Sequence, residues 1–190
     1  MIDPIFQTAM QTLAELSAQL DFVLVPGFKN SGPEHWQSLW ERHGPHFARI
    51  TQSRWDNPDV DLWVDATRRL LAARGRPAIL IGHSLGALAA ICLAGEAHPL
   101  VSGVMLVATA RPSRFEAVDR VPHHALGVPA VMVASQNDPL MRFSRAEYWG
   151  RLWGADLIDI GEAGHINAES GYGPWGQGLN ILAQLARTVA

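Results

Sequence analysis

One pentapeptide, Gly82-His-Ser-Leu-Gly86, constrains the fold of this chain more than any other feature. It follows the apolar run 77–81 directly and precedes a stretch of small residues, 87–97, that is suited to a packed helix. A serine between a strand and a helix, with a glycine two residues to either side, is the pattern of a nucleophile elbow. The alternative is an ordinary strand-to-helix turn in which the side chain of Ser84 caps the helix.

Strand-like and helix-like segments alternate along the rest of the chain. The predicted strands are 22–25, 47–51, 77–81, 101–108, 130–134 and 156–160, and the predicted helices are 4–20, 34–42, 58–74, 87–97, 142–153 and 175–189. This alternation predicts a single α/β domain, residues 1–190, with a mostly parallel central sheet and helices on both faces. Ligand sites in such sheets lie beyond the carboxyl ends of the strands, which is where the pentapeptide falls.

The composition excludes several classes of function. The chain has 190 residues, a formal net charge of −3 and no basic run, so nucleic-acid binding has no electrostatic support. No stretch approaches 18 uninterrupted apolar residues, and we therefore expect no membrane helix. The single cysteine, Cys92, excludes an internal disulfide and favours a reducing compartment. Because the first residues also lack the basic region of a signal peptide, we expect a cytoplasmic protein.

A catalytic serine needs a base to take its proton, and a carboxylate to orient that base. In elbow-bearing folds the order along the chain is nucleophile, acid, histidine. Of eight histidines, only His165 lies beyond residue 124, and it follows the predicted strand 156–160. Asp138 directly follows the predicted strand 130–134. We therefore predict that Ser84 attacks an acyl carbon, that His165 carries the proton, and that Asp138 holds the imidazole.

Other acidic residues are less suited than Asp138 to orient the histidine. Asp119 lies far from any predicted strand end, Asp156 and Asp159 fall inside a strand, and Glu162 is too close to the histidine along the chain. The alternative for Asp138 is a turn residue before proline. Both interpretations can hold at once, because such a turn would fix the carboxylate.

The predicted oxyanion hole consists of two backbone N–H groups. One belongs to Leu85, directly after the nucleophile, and the other to Phe28, in the loop after the first strand. Trp36 and His83 are candidate walls of a substrate pocket, with core packing as the alternative for Trp36. We expect neither metal nor cofactor, because the pair His123-His124 has no second group of ligands.

Several short motifs together resemble a known family. They are Val25-Pro-Gly27, His35-Trp36 with Trp40, Ser53-Arg-Trp55, Gly82-His-Ser-Leu-Gly86, Ser135-Gln-Asn-Asp-Pro139 and Gly164-His-Ile-Asn167. In them the chain resembles the small serine hydrolases of the retinoblastoma-binding-protein-nine and YdeN-like group, within the α/β-hydrolase superfamily. The resemblance implies a compact hydrolase fold without a large cap, and it implies Ser84, Asp138 and His165 as the triad.

The N-terminal helix, within residues 1–20, departs from this family pattern. It could extend the core or make a homodimer contact. We expect a serine hydrolase of the carboxylesterase type that cleaves a small-molecule acyl ester through an acyl-enzyme. Two alternatives remain open, namely a small peptidase or amidase with the same triad, and a non-catalytic protein-binding module with the same fold.

Overall fold

A computed structural model of the protein describes residues 3–190, so residues 1 and 2 of the predicted N-terminal segment lie outside the described residues. The strands are β1 (Asp21–Val25), β2 (Phe47–Arg49), β3 (Ala78–His83), β4 (Val101–Val107), β5 (Ala130–Ala134) and β6 (Asp156–Asp159). They form one sheet in the order β2-β1-β3-β4-β5-β6, and every adjacent pair is parallel. All six carboxyl ends therefore lie at one edge of the sheet.

Helices cover both faces of this sheet. They are α1 (Pro4–Leu16), α2 (Trp36–His43), α3 (Val60–Arg74), α4 (Leu85–Gly95), α5 (Phe143–Trp153) and α6 (Gly176–Val189). Within residues 3–190, the longest connection between two of these elements is 108–129, and it contains only a short 3-10 helix (Pro112–Phe115). The predicted α/β sheet with helices on both faces is confirmed.

The two faces of the sheet carry separate apolar layers because successive side chains of a strand point to opposite sides. In β3, Leu80 packs into the layer that contains α3, α4 and α5, whereas Ile79 packs into the layer that contains α1, α2 and α6. The central strands are apolar at both sets of positions, as parallel strands covered on both faces require. The sheet is therefore a rigid base for the loops at its carboxyl edge.

Helix α1 belongs to the core but is shorter than predicted. Asp3 caps it by accepting a hydrogen bond from the amide of Ile5, and Phe6 and Leu13 are buried in the α1, α2 and α6 layer. The helix ends at Leu16 rather than Leu20. The hydroxyl of Ser17 donates to a backbone carbonyl, and the last turn tightens into i to i−3 hydrogen bonds that end the helix.

Asp21, at the start of β1, is a buried acidic residue. Its carboxylate accepts hydrogen bonds of 2.7 and 3.0 Å from Arg74 and lies 3.3 Å from the guanidinium of Arg76. The hydrogen bond from Arg74, aided by the charge of both arginines and opposed by burial, holds the pKa of Asp21 below 3.8.

Asp21→Asn is expected to lower the free energy of unfolding at pH 7 by about 1–3 kcal/mol, because charge-assisted hydrogen bonds are lost. The folded pKa lies below the unfolded one, so this contribution is complete above pH 3.8 and is lost as the pH falls below it. Urea unfolding at pH 7 and at pH 3 measures both effects. Asp119→Asn, at an exposed site, is the control. Equal stability of wild type and Asp21→Asn at pH 7 would contradict the prediction.

Candidate active site

Ser84 occupies a strained turn between β3 and α4. Its backbone has φ 55° and ψ −115°, a region that residues with a side chain adopt only at a cost of about 1–3 kcal/mol. The amide of Ser84 donates to the carbonyl of Val107 in β4, which secures the turn against the sheet. Its side chain makes no hydrogen bond that caps α4. The capping alternative therefore does not hold, and the hydroxyl remains available for other chemistry.

Both glycines of the pentapeptide are needed for close backbone packing. A Cβ atom on Gly82 would lie 2.5 Å from the Cα of Ala87, and one on Gly86 would overlap the carbonyl of Val25. These overlaps involve backbone atoms that cannot move aside. The glycines thus allow α4 to start directly over the carboxyl ends of β1 and β3, with Ser84 at its tip.

Asp138 and His165 form a hydrogen-bonded pair beyond β5 and β6. The Nδ1 atom of His165 lies 3.0 Å from each carboxylate oxygen of Asp138. The carboxylate also accepts a hydrogen bond of 2.8 Å from the amide of Leu140. Because a carboxylate only accepts hydrogen bonds, Nδ1 carries the proton, and Nε2 of the neutral ring keeps its lone pair. This is the arrangement that a general base requires.

Ser84 and His165 line the same cleft, which has a volume of about 290 Å³. Loops that follow β1, β3, β4, β5 and β6 all contribute to its walls. The apolar part of the wall consists of Phe28, Phe115 and Leu140, and the polar part includes Asn30, Arg114, Asn167 and Glu169. The structure thus brings the predicted serine and histidine to one concave site at the carboxyl edge of the sheet.

The two predicted oxyanion donors also lie at this cleft. Phe28 lines it, and Leu85 is the first residue of α4, directly after the serine. The backbone before Phe28 runs close to Ser84, since a Cβ atom on Gly27 would lie 3.1 Å from the Cβ of that residue. Within residues 3–190, neither the Phe28 amide nor the Leu85 amide has a hydrogen-bond partner. Both N–H groups are therefore available to a ligand.

Trp36 does not line the cleft, in contrast to its prediction as a pocket wall. Its side chain is fully buried between α2 and the sheet, where it contacts the rings of Trp40 and Trp175. Its indole N–H donates a hydrogen bond of 2.9 Å to the carbonyl of Ile166, next to the histidine. The burial of Trp36 fits the alternative of core packing, and no sequence signal indicated that its N–H meets a backbone carbonyl 130 residues away.

His83 does line the cleft, together with His35, and both rings are largely buried. Burial, with a smaller contribution from neighbouring histidines, holds the pKa of His83 well below 6.5. Burial also lowers the pKa of His35 to about 3. Both rings are therefore neutral. The ring centroid of His83 lies 4.9 Å from that of His165, so the two rings are neighbours at the cleft.

The sequence interpretation missed two residues that hold the loop of the histidine. The hydroxyl of Ser135 accepts a hydrogen bond of 2.9 Å from the amide of Ala163, and the side chain of Asn137 accepts one of 2.7 Å from the amide of Gly164. Both residues lie within the three positions before Asp138, and polar residues at the end of a buried strand were the available signal. The β5 loop therefore positions the imidazole through its backbone as well as through the carboxylate.

Residues 3–190 contain neither a metal-binding cluster nor a helix suited to span a membrane. This part of the chain contains no group of three or more His, Cys, Asp or Glu side chains arranged to hold a metal ion. None of its helices combines the length and the apolar character that a membrane crossing requires.

Comparisons with known proteins place the chain in a family. A family model described as serine hydrolase matches residues 22–184. The crystal structure of a protein described as a YdeN-like hydrolase, from Pectobacterium atrosepticum, is 51% identical, with a TM-score of 0.93 over 96% of this chain and 98% of that chain. None of the curated proteins compared with the chain matches its sequence.

More distant structures share the fold. The ydeN gene product of B. subtilis is 18% identical, with a TM-score of 0.65 over 88% of this chain and 98% of that chain. Alpha/beta hydrolase domain-containing protein 10 from mouse is 15% identical, with a TM-score of 0.64 over 88% of each chain. The chain thus has the α/β-hydrolase fold without a large cap, and the resemblance inferred from its sequence motifs is confirmed: it belongs to the serine hydrolase family.

Proposed function

We propose that this protein cleaves small carboxylic esters through an acyl-enzyme intermediate on Ser84. The observation that carries the proposal is the pair of 3.0 Å contacts between the His165 ring and the Asp138 carboxylate, at a cleft that Ser84 also lines. Ser84 itself stands in a strained backbone conformation, and such strain is concentrated at functional sites. Membership of a hydrolase family supports the same reaction class.

Each proposed step follows from the chemistry of these groups. The Ser84 hydroxyl attacks the ester carbon while Nε2 of His165 takes its proton, and Asp138 stabilises the imidazolium. The oxyanion accepts hydrogen bonds from the amides of Phe28 and Leu85. When the tetrahedral intermediate collapses, the bond to the alcohol oxygen breaks and the imidazolium gives its proton to that oxygen. Water then attacks the acyl-enzyme by the same route and releases the acid.

The dimensions of the cleft favour short acyl groups. Its volume of about 290 Å³ is at the lower end of small-molecule sites, which span about 300–1,000 Å³. The rings of Phe28 and Phe115, with centroids 6.3 Å apart, offer one apolar surface beside the serine. The exposed, charged side chain of Arg114 lines the same cleft and disfavours a long apolar chain there.

A panel of p-nitrophenyl acetate, butyrate, octanoate and decanoate, with the p-nitroanilide of butyrate as the matched amide, tests this proposal. We expect kcat/KM for acetate or butyrate to exceed that for decanoate by at least about tenfold, and the anilide to react more slowly than its ester. Faster cleavage of the anilide would favour a peptidase or amidase. No turnover of any compound by folded protein would favour a binding module.

Cys92 is not a competing nucleophile. It is buried in α4, and burial raises the pKa of its thiol to about 11, so the thiolate is scarce at neutral pH. A single buried cysteine without a disulfide partner is compatible with the cytoplasmic location that we propose for the protein.

A further inference from the structure

We propose that Trp36 and His83 are positioning residues that hold His165 in its working orientation by binding two successive backbone carbonyls. This inference rests on the proposed function, because it assigns a role in the same reaction. In the proposed reaction, the imidazole of His165 contacts Asp138 through Nδ1 and takes the proton of Ser84 through Nε2. The imidazole must therefore stay within a narrow range of positions in which it can contact both Ser84 and Asp138.

The loop that carries His165 has an unfavourable backbone conformation. Ile166, the next residue, has φ 48°, a region that β-branched residues avoid because their side chains collide with the backbone there. Gly164, on the other side of the histidine, has φ 57°. A strained isoleucine persists only where its surroundings hold it in place. The side chain of Ile166 is fully buried, so packing supplies part of this restraint.

Two buried donors supply a specific restraint. The indole N–H of Trp36 donates to the carbonyl of Ile166, and Nε2 of His83 donates to the carbonyl of His165, each over 2.9 Å. These carbonyls belong to the two peptide groups that flank the strained residue. Rotation of either group would break one of these hydrogen bonds, and the bond from Trp36 lies in a buried site where an unpaired carbonyl is costly. The two bonds therefore oppose relaxation of Ile166 to negative φ.

Relaxation of Ile166 would move the imidazole. Its effect on the reaction would be large, because a displacement of about 1 Å between reacting groups can reduce a rate by about a hundredfold. Trp36 does not line the cleft, so loss of its hydrogen bond should lower kcat and leave KM nearly unchanged. The ring of His83 does line the cleft, and its role is therefore tested on kcat alone.

Trp40 offers a matched control for Trp36. Both tryptophans belong to α2, both are fully buried, and the indole N–H of Trp40 also donates to a backbone carbonyl, that of Pro174, over 2.8 Å. Trp36→Phe and Trp40→Phe each remove one buried N–H and part of one ring. We expect kcat to fall by about 10- to 100-fold in Trp36→Phe only, with KM within about threefold of wild type in both variants.

His83 is tested by a pair of variants. His83→Gln places an amide N–H at about the reach of Nε2 and should retain most of kcat. His83→Leu has a similar volume but no donor, and its kcat should fall by about 10- to 100-fold. Thermal unfolding of the two tryptophan variants and the two His83 variants shows whether a lower kcat reflects unfolding of the protein or displacement of the His165 ring. Equal kcat in His83→Gln and His83→Leu would overturn the role of this residue.

Proton NMR provides a measurement that needs no substrate. The Nδ1 proton of His165, shared with Asp138, should give a downfield resonance in wild type and in Trp40→Phe. We expect this resonance to shift or broaden in Trp36→Phe. Identical spectra and identical kcat in the two tryptophan variants would overturn the inference. Failure of the proposed function would be recognised separately, as absence of ester turnover by wild type.

Discussion

Ser84→Ala is expected to lower kcat for p-nitrophenyl butyrate by about 10⁴- to 10⁶-fold. In the proposed mechanism Ser84 alone forms the acyl-enzyme, because the rings of His35 and His83 are buried and the Cys92 thiol lies inside α4. The substitution removes one hydroxyl without a capping hydrogen bond, so the fold should be unaffected. Steady-state kinetics with matched thermal unfolding curves measure both expectations.

Ser113→Ala is the control for this variant. Ser113 is an exposed serine beside Arg114 of the cleft wall, and its replacement should leave kcat within about twofold of wild type. If Ser84→Ala kept a tenth or more of the wild-type kcat, Ser84 would not be the nucleophile, and the proposed mechanism would be wrong.

Asp138→Asn is expected to lower kcat by about 10⁴-fold. An asparagine keeps the shape of the side chain, but it can present an N–H to Nδ1 of His165. The imidazole would then carry its proton on Nε2, which could no longer accept the proton of the serine. Because the side chain of Asp138 is largely buried and also accepts a hydrogen bond from the amide of Leu140, the carboxamide must fit the same space.

Asp119→Asn is the control for the carboxylate. Asp119 also lies between the serine and the histidine in sequence, but it is exposed and takes no part in the cleft. Its replacement should leave kcat within about twofold of wild type. A loss of less than tenfold in Asp138→Asn, or a large loss in Asp119→Asn, would show that the acid had been assigned to the wrong residue.

The architecture was predictable because its signals are local. Apolar runs of five or six residues and amphipathic helices are visible along the chain, and their alternation implies a parallel sheet. The serine, aspartate and histidine follow strands β3, β5 and β6, and parallel strands bring their carboxyl ends to one edge. The pairing of His165 with Asp138 could thus be expected from sequence, although its 3.0 Å geometry could not.

The restraints on the site were not predictable, because they join residues far apart in the chain. Trp36 contacts Ile166 through an N–H that sequence spacing cannot orient. The positive φ of Ile166 had no signal either, since isoleucine is among the residues least suited to that conformation. The end of α1 was misplaced because Leu20 continues the helical spacing while Ser17 already bonds the backbone. Tertiary contacts decided the first two of these features, and a local hydrogen bond decided the end of α1.

The most direct test of a covalent serine mechanism is intact-mass spectrometry after treatment with a fluorophosphonate. We expect wild type to gain the mass of one phosphonyl group, with peptide mapping placing it on Ser84. Ser84→Ala should gain none, and Asp138→Asn should react much more slowly. Folded wild-type protein that stays unmodified, or that carries the group on another residue, would contradict the proposed nucleophile.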